Sequence, residues 1–242
     1  MAAKYDSIGI NYAQLRQPEP RIAAVIHRAL GPAKTVLNVG AGTGSYEPSD
    51  RQVTAVEPSA EMIRKRPPDA AKAIQASADD LPFEDKAFDA AMAILTIHHW
   101  PDKEAGLREI RRVTRGPIVL LTFDPAARPW LTDYLPELVK LDDKQMPAMA
   151  DYARWLGPVE VTPVPVPKAC RDGFLYAYWD RPEAYLDARI RTGSSSFWAI
   201  ADAADGLRRL ERDFESGEWQ RRYGDLLKRD AYDAGYRLVV AD

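Results

Sequence analysis

The chain has 242 residues, 46 % of them apolar, and its 33 Lys and Arg against 36 Asp and Glu leave a formal net charge of −3. That apolar content suffices for one α/β core, and the interspersed charges offer no basic face to nucleic acid or to an anionic membrane. One cysteine, Cys170, excludes an internal disulfide and a cysteine-cluster metal site, and no apolar run approaches the roughly 18 to 20 residues of a transmembrane helix.

Met1 to Ser7 lacks the apolar core of a signal peptide, so a cytoplasmic location is expected. Pro20 to Leu30 reads as a helix, with Ile22, Val25, Ile26 and Ala29 at helical spacing and Gly31-Pro32 as its stop. Thr35 to Val39 reads as a short buried strand, followed by glycines at alternate positions, Gly40, Gly42 and Gly44. Three such glycines make a turn where backbone approaches a ligand with no Cβ in the way. The run is G-x-G-x-G, with Ser45 where a dinucleotide fingerprint places its third glycine or alanine, which disfavours NAD. Gln52 to Val56 is a second apolar strand closed by Glu57, and a carboxylate there can accept hydrogen bonds from both ribose hydroxyls. The crossover between these strands has room for a short helix only, made irregular by Pro48.

Pro58-Ser59-Ala60-Glu61 opens the next helix, Ser59 as its cap and Glu61 at the positive end of its dipole. Pro67-Pro68 ends it, Ala71 to Ala76 forms a third strand, and Ser77 to Phe83 is a loop. Phe88 to Ile97, the most continuous apolar run, reads as a strand buried on both faces at the centre of the sheet. His98-His99-Trp100 follows it, then a helix from Pro101-Asp102 with Leu107, Ile110 and Val113 on one face. Gly116 stops that helix, and Pro117 to Phe123 is a fifth strand. Strands alternating with helices imply a mostly parallel, doubly wound sheet, whose ligands sit beyond the carboxyl ends of its strands. Gly40, Glu57, Asp79 and His99 all fall at that edge.

Beyond Asp124 a proline-broken helical stretch carries Trp130, Tyr134, Met146, Met149, Tyr152 and Trp155, before a strand near Val159 to Val166. An aromatic-rich segment, Asp172 to Trp179, then precedes charged helices over about 182–230 and a closing strand, Tyr236 to Ala241. The expected fold is a Rossmann-like seven-stranded sheet with its last strand antiparallel, in one domain spanning 1–242. Covering helices would occupy 1–31 and the cofactor-binding half 32–125, with a helical, aromatic-rich lid from 126–158 and 168–235.

With these blocks assembled, the chain resembles the class I S-adenosylmethionine-dependent methyltransferases, specifically the type 11 small-molecule group that includes ubiquinone and menaquinone methyltransferases. The ordered set carries the resemblance: Val36 to Gly44, Val53 to Met62, the Ala-Asp-Asp-Leu-Pro-Phe-x-Asp-x-x-Phe-Asp run from Ala78, and the Leu-x-Glu-Ile-x-Arg-Val run from Leu107. It covers the first half of the chain and fixes little after residue 125. It implies that Gly40, Gly42, Gly44 and the following turn meet the methionyl part of S-adenosylmethionine, that Glu57 holds the ribose, and that Pro58 and Met62 flank the adenine. Ala78, Asp79 and Leu81 would border the adenine, Ile94 and Leu95 the amino acid end, and Tyr12 and Arg16, on a covering helix, its carboxylate. Two positions depart from the family pattern. Asn38 stands where an acid is usual, and Ser77 where Asp is common. Asn38 still hydrogen-bonds but adds no charge for the cofactor's ammonium.

Methyl transfer needs the acceptor in line with the sulfonium–methyl bond and away from water, so positioning carries much of the catalysis. A hydroxyl or carbon acceptor usually also loses a proton. His99, then His98, are the candidate bases, against a reading as packing and helix-entry residues; His27 is expected to be structural. The lid aromatics, among them Trp130, Tyr134, Trp155, Phe174, Tyr178 and Trp179, are expected mainly as lid core. Arg171-Asp172 is expected as a surface ion pair, and Cys170 as a small buried residue. The expected product is S-adenosylhomocysteine, the partner a small molecule with no nucleic acid, membrane or metal, and the assembly a monomer or homodimer. Rivals are a non-catalytic or regulatory cofactor-binding protein and, more distantly, a nucleic-acid or protein methyltransferase. Against a nucleic-acid enzyme, the position after the fourth strand reads Leu95-Thr96-Ile97-His98 and carries no Asn/Asp/Ser-Pro-Pro-aromatic motif.

Overall fold

Alternation of side chains along the strands sets the layers. In the computed structural model, which describes residues 15–200 and 202–242, the strands are β1 (Thr35–Val39), β2 (Gln52–Val56), β3 (Ala73–Ile74), β4 (Ala90–Ile94), β5 (Ile118–Phe123), β6 (Val159–Pro163), β7 (Val166–Pro167), β8 (Ala231–Tyr232) and β9 (Tyr236–Ala241). Val36, Met92, Val119 and Leu121 point to one side, where Ile22 and Ile26 of the Pro20–Ala29 helix and the lid aromatics pack. Leu37, Ala91, Ala93, Ile118 and Leu120 point to the other, against Leu107, Ile110 and Val113 of the Lys103–Val113 helix. Every residue of β5 is buried, as expected of a central strand covered on both faces.

Seven strands form one sheet in the order β3-β2-β1-β4-β5-β9-β6. All its pairs are parallel except those of β9, which runs antiparallel to β5 and β6. The Rossmann-like architecture read from the sequence is therefore the one observed, with β7 and β8 as a separate antiparallel pair. From β1 the chain builds outward through β2 and β3, then returns to place β4 on the other side. The crevice at this reversal lies beyond the carboxyl ends of β1 and β4.

The departures are local. The run expected as a strand through Ile97 stops at Ile94, because Leu95 takes a left-handed φ of +52° and Ile97–His99 form a 3-10 turn. No helix forms between Gly44 and β2, and the connection consists of turns around Pro48. The Met149–Leu156 helix, grouped with the lid on sequence grounds, instead packs on the opposite face beside the Lys103–Val113 helix. Tyr152 anchors it there, its hydroxyl 2.9 Å from Thr122 Oγ1. Trp155 goes with it and is not lid core. Among the described residues no helix is long and apolar enough to cross a membrane.

Candidate active site

The glycine turn is held against the end of β2, since the N–H groups of Gly40 and Ala41 both donate to Val56 O, at 2.8 and 3.0 Å. Gly40, Gly42 and Gly44 have φ of +68°, +53° and +94°, a region costly for residues with a Cβ. At Gly40 space forbids a side chain as well, because a Cβ would lie 2.1 Å from Thr96 Oγ1. Glu57 is buried and clamped by backbone: Gly42 N donates to its Oε2 at 2.8 Å and Ser59 N to its Oε1 at 2.9 Å. Burial raises its pKa, while those two N–H donors and the charge of Arg66 act the other way. Each carboxylate oxygen spends one acceptor position on the backbone and keeps another.

Beneath this turn lies a buried ion pair. Arg66 donates through one terminal nitrogen to both oxygens of Glu47, at 2.7 and 2.8 Å, and through the other to Gly42 O at 3.1 Å. Asn38 donates to the same Glu47. The side chains of Arg66 and Glu47 are only 5 % and 9 % exposed, so the turn rests on a charged strut shielded from water.

A cavity of about 520 Å³ opens beside the turn. Of the residues expected to hold a ligand, it brings together Arg16, Asn38, Gly40, Gly42, Glu57, Pro58, Met62, Ala78, Ile94, Leu95, His98 and His99. Gly44, Asp79 and Leu81 do not border it. Asp79 is exposed and takes a hydrogen bond from the Ser77 hydroxyl, leaving Ser77 and Ala78 as the loop's contribution. Leu81 is turned into the core under the Lys103–Val113 helix, where its N–H donates to Glu109 Oε2. Tyr12 falls outside the described residues.

Arg16 reaches the cavity by way of the aromatic segment. Its Nε donates to Asp172 Oδ1 at 2.6 Å, and Tyr46 O–H donates to Asp172 Oδ2 at 2.9 Å. Asp172 is fully buried, so the surface pair expected at Arg171-Asp172 is replaced by an interior link between Asp172 and Arg16. The cause is a backbone bridge between Arg16 and Asp172, with Gly173 N donating to Leu15 O. Cys170 is buried as expected, with burial pushing its thiol up to about 12. His27 is structural, its Nε2 lying 2.9 Å from Tyr46 O.

His98 and His99 lie in contact at the cavity wall with ring centroids 3.8 Å apart and planes tilted by 49°, and His99 is exposed to solvent. The surrounding protein lowers both pKa values, chiefly by desolvation, with Arg16 and Lys103 adding to it; His99 falls to about 4. Both imidazoles are therefore neutral at pH 7, and His99 is a weaker base than a free one.

The far end of the cavity was not legible as a site. There Phe123, Phe174, Leu175, Tyr176, Tyr236 and Met146 line the cavity together with Asp142 and Ser194 to Ser196. Asp142 is 6 % exposed, and Tyr176 O–H donates to its Oδ2 at 3.4 Å. One signal was available: Leu138, Asp142 and Met146 are spaced by four, so an acid sits on the apolar stripe of a helix. Among the described residues no cluster of three or more His, Cys, Asp or Glu side chains could hold a metal.

Residues 37–117 match the type 11 family profile described as a methyltransferase domain. A solved chain from Anabaena variabilis, named as a methyltransferase from an antibiotic biosynthesis pathway, is 35 % identical, with a TM-score of 0.86 over 95 % of this chain and 99 % of that one. Sterol methyltransferase-like 3 of Botryococcus braunii is 32 % identical over 133 residues, 49 % of this chain. The chain spans 33 % of that relative's length. Geranyl diphosphate C-methyltransferase of Streptomyces coelicolor, solved with Mg2+, geranyl-S-thiolodiphosphate and S-adenosyl-L-homocysteine, shares the fold at 15 % identity, with a TM-score of 0.50 over 91 % of this chain and 74 % of that one.

Proposed function

The chain belongs to the class I S-adenosylmethionine-dependent methyltransferases of the type 11 group, and from that premise we propose that it methylates a small-molecule acceptor bound at the aromatic end of its cavity. The observation that carries this reading is that one cavity borders both the Gly40–Glu57 constellation and the ring-lined pocket of Phe123, Tyr176 and Tyr236.

The residues present fit the cofactor. Glu57 keeps acceptor capacity for two ribose hydroxyls after taking its backbone donors, Gly42 has open space where a Cβ would lie, with Met62 Cε 3.5 Å away, and Met62, Pro58 and Ala78 supply apolar wall for the adenine. Ile94, Leu95 and Arg16 line the same cavity and would hold the amino acid end. S-adenosylmethionine, when bound, supplies an electrophilic methyl on a sulfonium. The protein's own part is to bind, align and dry the acceptor, by which a bimolecular encounter becomes an oriented one. His99 and His98 stand at the wall as the bases read from the sequence, and their lowered pKa values leave them the smaller share of any proton transfer.

Calorimetric titration with S-adenosylhomocysteine, followed by incubation with labelled methyl donor and a panel of hydroxylated and aminated metabolites, tests the reading. Tight binding with label transferred to an acceptor is expected, and Glu57→Ala should weaken binding by about two to four orders of magnitude with the fold intact, as losing two charge-assisted hydrogen bonds worth ~1.5 to 3 kcal/mol each implies. Binding with no transfer across the panel would instead favour a regulatory cofactor-binding protein.

A further inference from the structure

Two carboxylates border the cavity among the described residues, Glu57 and Asp142. Glu57 is occupied by backbone donors. Asp142 lies one helical turn beyond Leu138 on the buried face of the Pro136–Gln145 helix, and its hydrogen bond from Tyr176 O–H, at 3.4 Å, is at the long limit of such bonds. A carboxylate buried among rings with so little donation is costly, and a ligand bringing an O–H to it would meet the deficit. The rings offer apolar wall: Phe123 lies 5.2 Å from Tyr176 and 5.6 Å from Tyr236 between centroids, and Phe174 lies 4.7 Å from Tyr236.

We propose, resting on the methyl-transfer reading above, that this end of the cavity takes a phenolic acceptor and that Asp142 receives first the hydrogen bond and then the proton of its hydroxyl. An amine acceptor fits less well. An ionised carboxylate would hold an amine protonated, and a protonated amine has no lone pair to methylate. For a hydroxyl the same carboxylate assists. As the oxygen lone pair forms its bond to the methyl carbon, the carbon–sulfur bond of the sulfonium donor breaks, its electron pair stays on the thioether, and the hydroxyl proton passes to Asp142 and then to water. Burial raises the Asp142 pKa to about 7, with Asp143 adding to the rise and Tyr176 and Arg128 opposing it. The Tyr236 hydroxyl faces the same carboxylate. A base of that strength suits a phenol, whose own pKa is about 10.

The test uses the full chain and 1-naphthol as the probe. In the presence of saturating S-adenosylhomocysteine, calorimetry should show saturable 1-naphthol binding to the wild type. Asp142→Asn, nearly isosteric, should bind it at least tenfold more weakly while its affinity for S-adenosylhomocysteine stays within threefold. With labelled donor, formation of the naphthyl methyl ether should fall at least a hundredfold in Asp142→Asn, and the inflection of kcat/KM near pH 7 should vanish. Tyr176→Phe, which removes the opposing hydrogen bond, should keep that inflection and move it upward. Equal 1-naphthol binding and turnover in wild type and Asp142→Asn, no 1-naphthol binding to the loaded wild type, or methylation of 1-naphthylmethylamine in preference would each overturn the proposal. Failure of the wild type to bind S-adenosylhomocysteine would instead overturn the methyl-transfer reading, and this proposal with it.

Discussion

Asn38 donates from Nδ2 to Oε1 of Glu47 at 3.0 Å, a bond that an acid at position 38 could not make to a carboxylate nine residues downstream. Glu47 in turn holds Arg66, and Arg66 holds the carbonyl of Gly42. The buried pair thus shapes the glycine turn from beneath.

Removing one partner of such a pair leaves an unpaired buried charge, which typically costs ~3 to 5 kcal/mol. Glu47→Ala is therefore expected to lower the melting temperature by many degrees and to weaken S-adenosylhomocysteine binding through the displaced turn. Asn38→Asp, which restores the family's usual acid, is expected to destabilise as well, because it sets a second carboxylate against Glu47 in place of a donor. A thermal melt with calorimetry on both variants checks this. A more stable, tighter-binding Asn38→Asp protein would show that the strut does not depend on that amide.

Gly40 and Gly42 separate backbone freedom from space. An alanine at either position meets a positive φ, but at Gly40 its Cβ would also lie 2.1 Å from Thr96 Oγ1, whereas at Gly42 the nearest atom is Met62 Cε at 3.5 Å. Gly40→Ala is expected to abolish measurable S-adenosylhomocysteine binding, and Gly42→Ala to weaken it by roughly tenfold, in line with ~1 to 3 kcal/mol for a strained φ. Comparable affinities in the two variants would mean that Thr96 yields easily.

These two cases show which parts of the site the sequence carried. The glycines and Glu57 were legible because the chemistry there is backbone geometry and one carboxylate at a strand end, both tied to local spacing. Asp142 was not, because its burial depends on Tyr176 and Tyr236 arriving from distant stretches. Asp172 was misjudged for the same reason, since its burial follows from a bridge to Arg16, 156 positions away. In the fold, β1, β2 and β9 match their predicted limits to the residue. The run after β4 did not, because apolar content gives no sign of the left-handed turn at Leu95.

The paired histidines give a prediction about pH. Desolvation lowers both pKa values, His99 to about 4, so His99 is expected to keep its charge unchanged between pH 5.5 and 9. His99→Gln is expected to alter kcat/KM by less than about tenfold, a small part of the 10²–10⁴ that a positioned base contributes, and to leave the shape of the pH profile unchanged. An inflection near pH 6 to 7 that disappears in His99→Gln but persists in Asp142→Asn would assign the base to the histidine.

Asp142 should also leave its mark on stability with no ligand present. Its pKa is raised from the ordinary carboxylate value to about 7, by burial first and Asp143 next, with Tyr176 and Arg128 acting the other way. Between about pH 4 and pH 7 the folded chain therefore keeps a proton that the unfolded chain has released. The folded state binds more protons in that window, so this group's contribution to stability falls as pH rises through it and levels off above about 7. Asparagine is neutral throughout and can still accept the Tyr176 hydrogen bond through its side-chain oxygen. Asp142→Asn should melt with the wild type near pH 4.5 and above it at pH 8. The gain is on the order of 2 to 4 kcal/mol, since each tenfold change in proton affinity is worth about 1.36 kcal/mol. Other carboxylates titrate in both proteins alike, so the difference between the two melting curves isolates this residue. A difference that is the same at both pH values would mean that Asp142 enters the folded state already ionised.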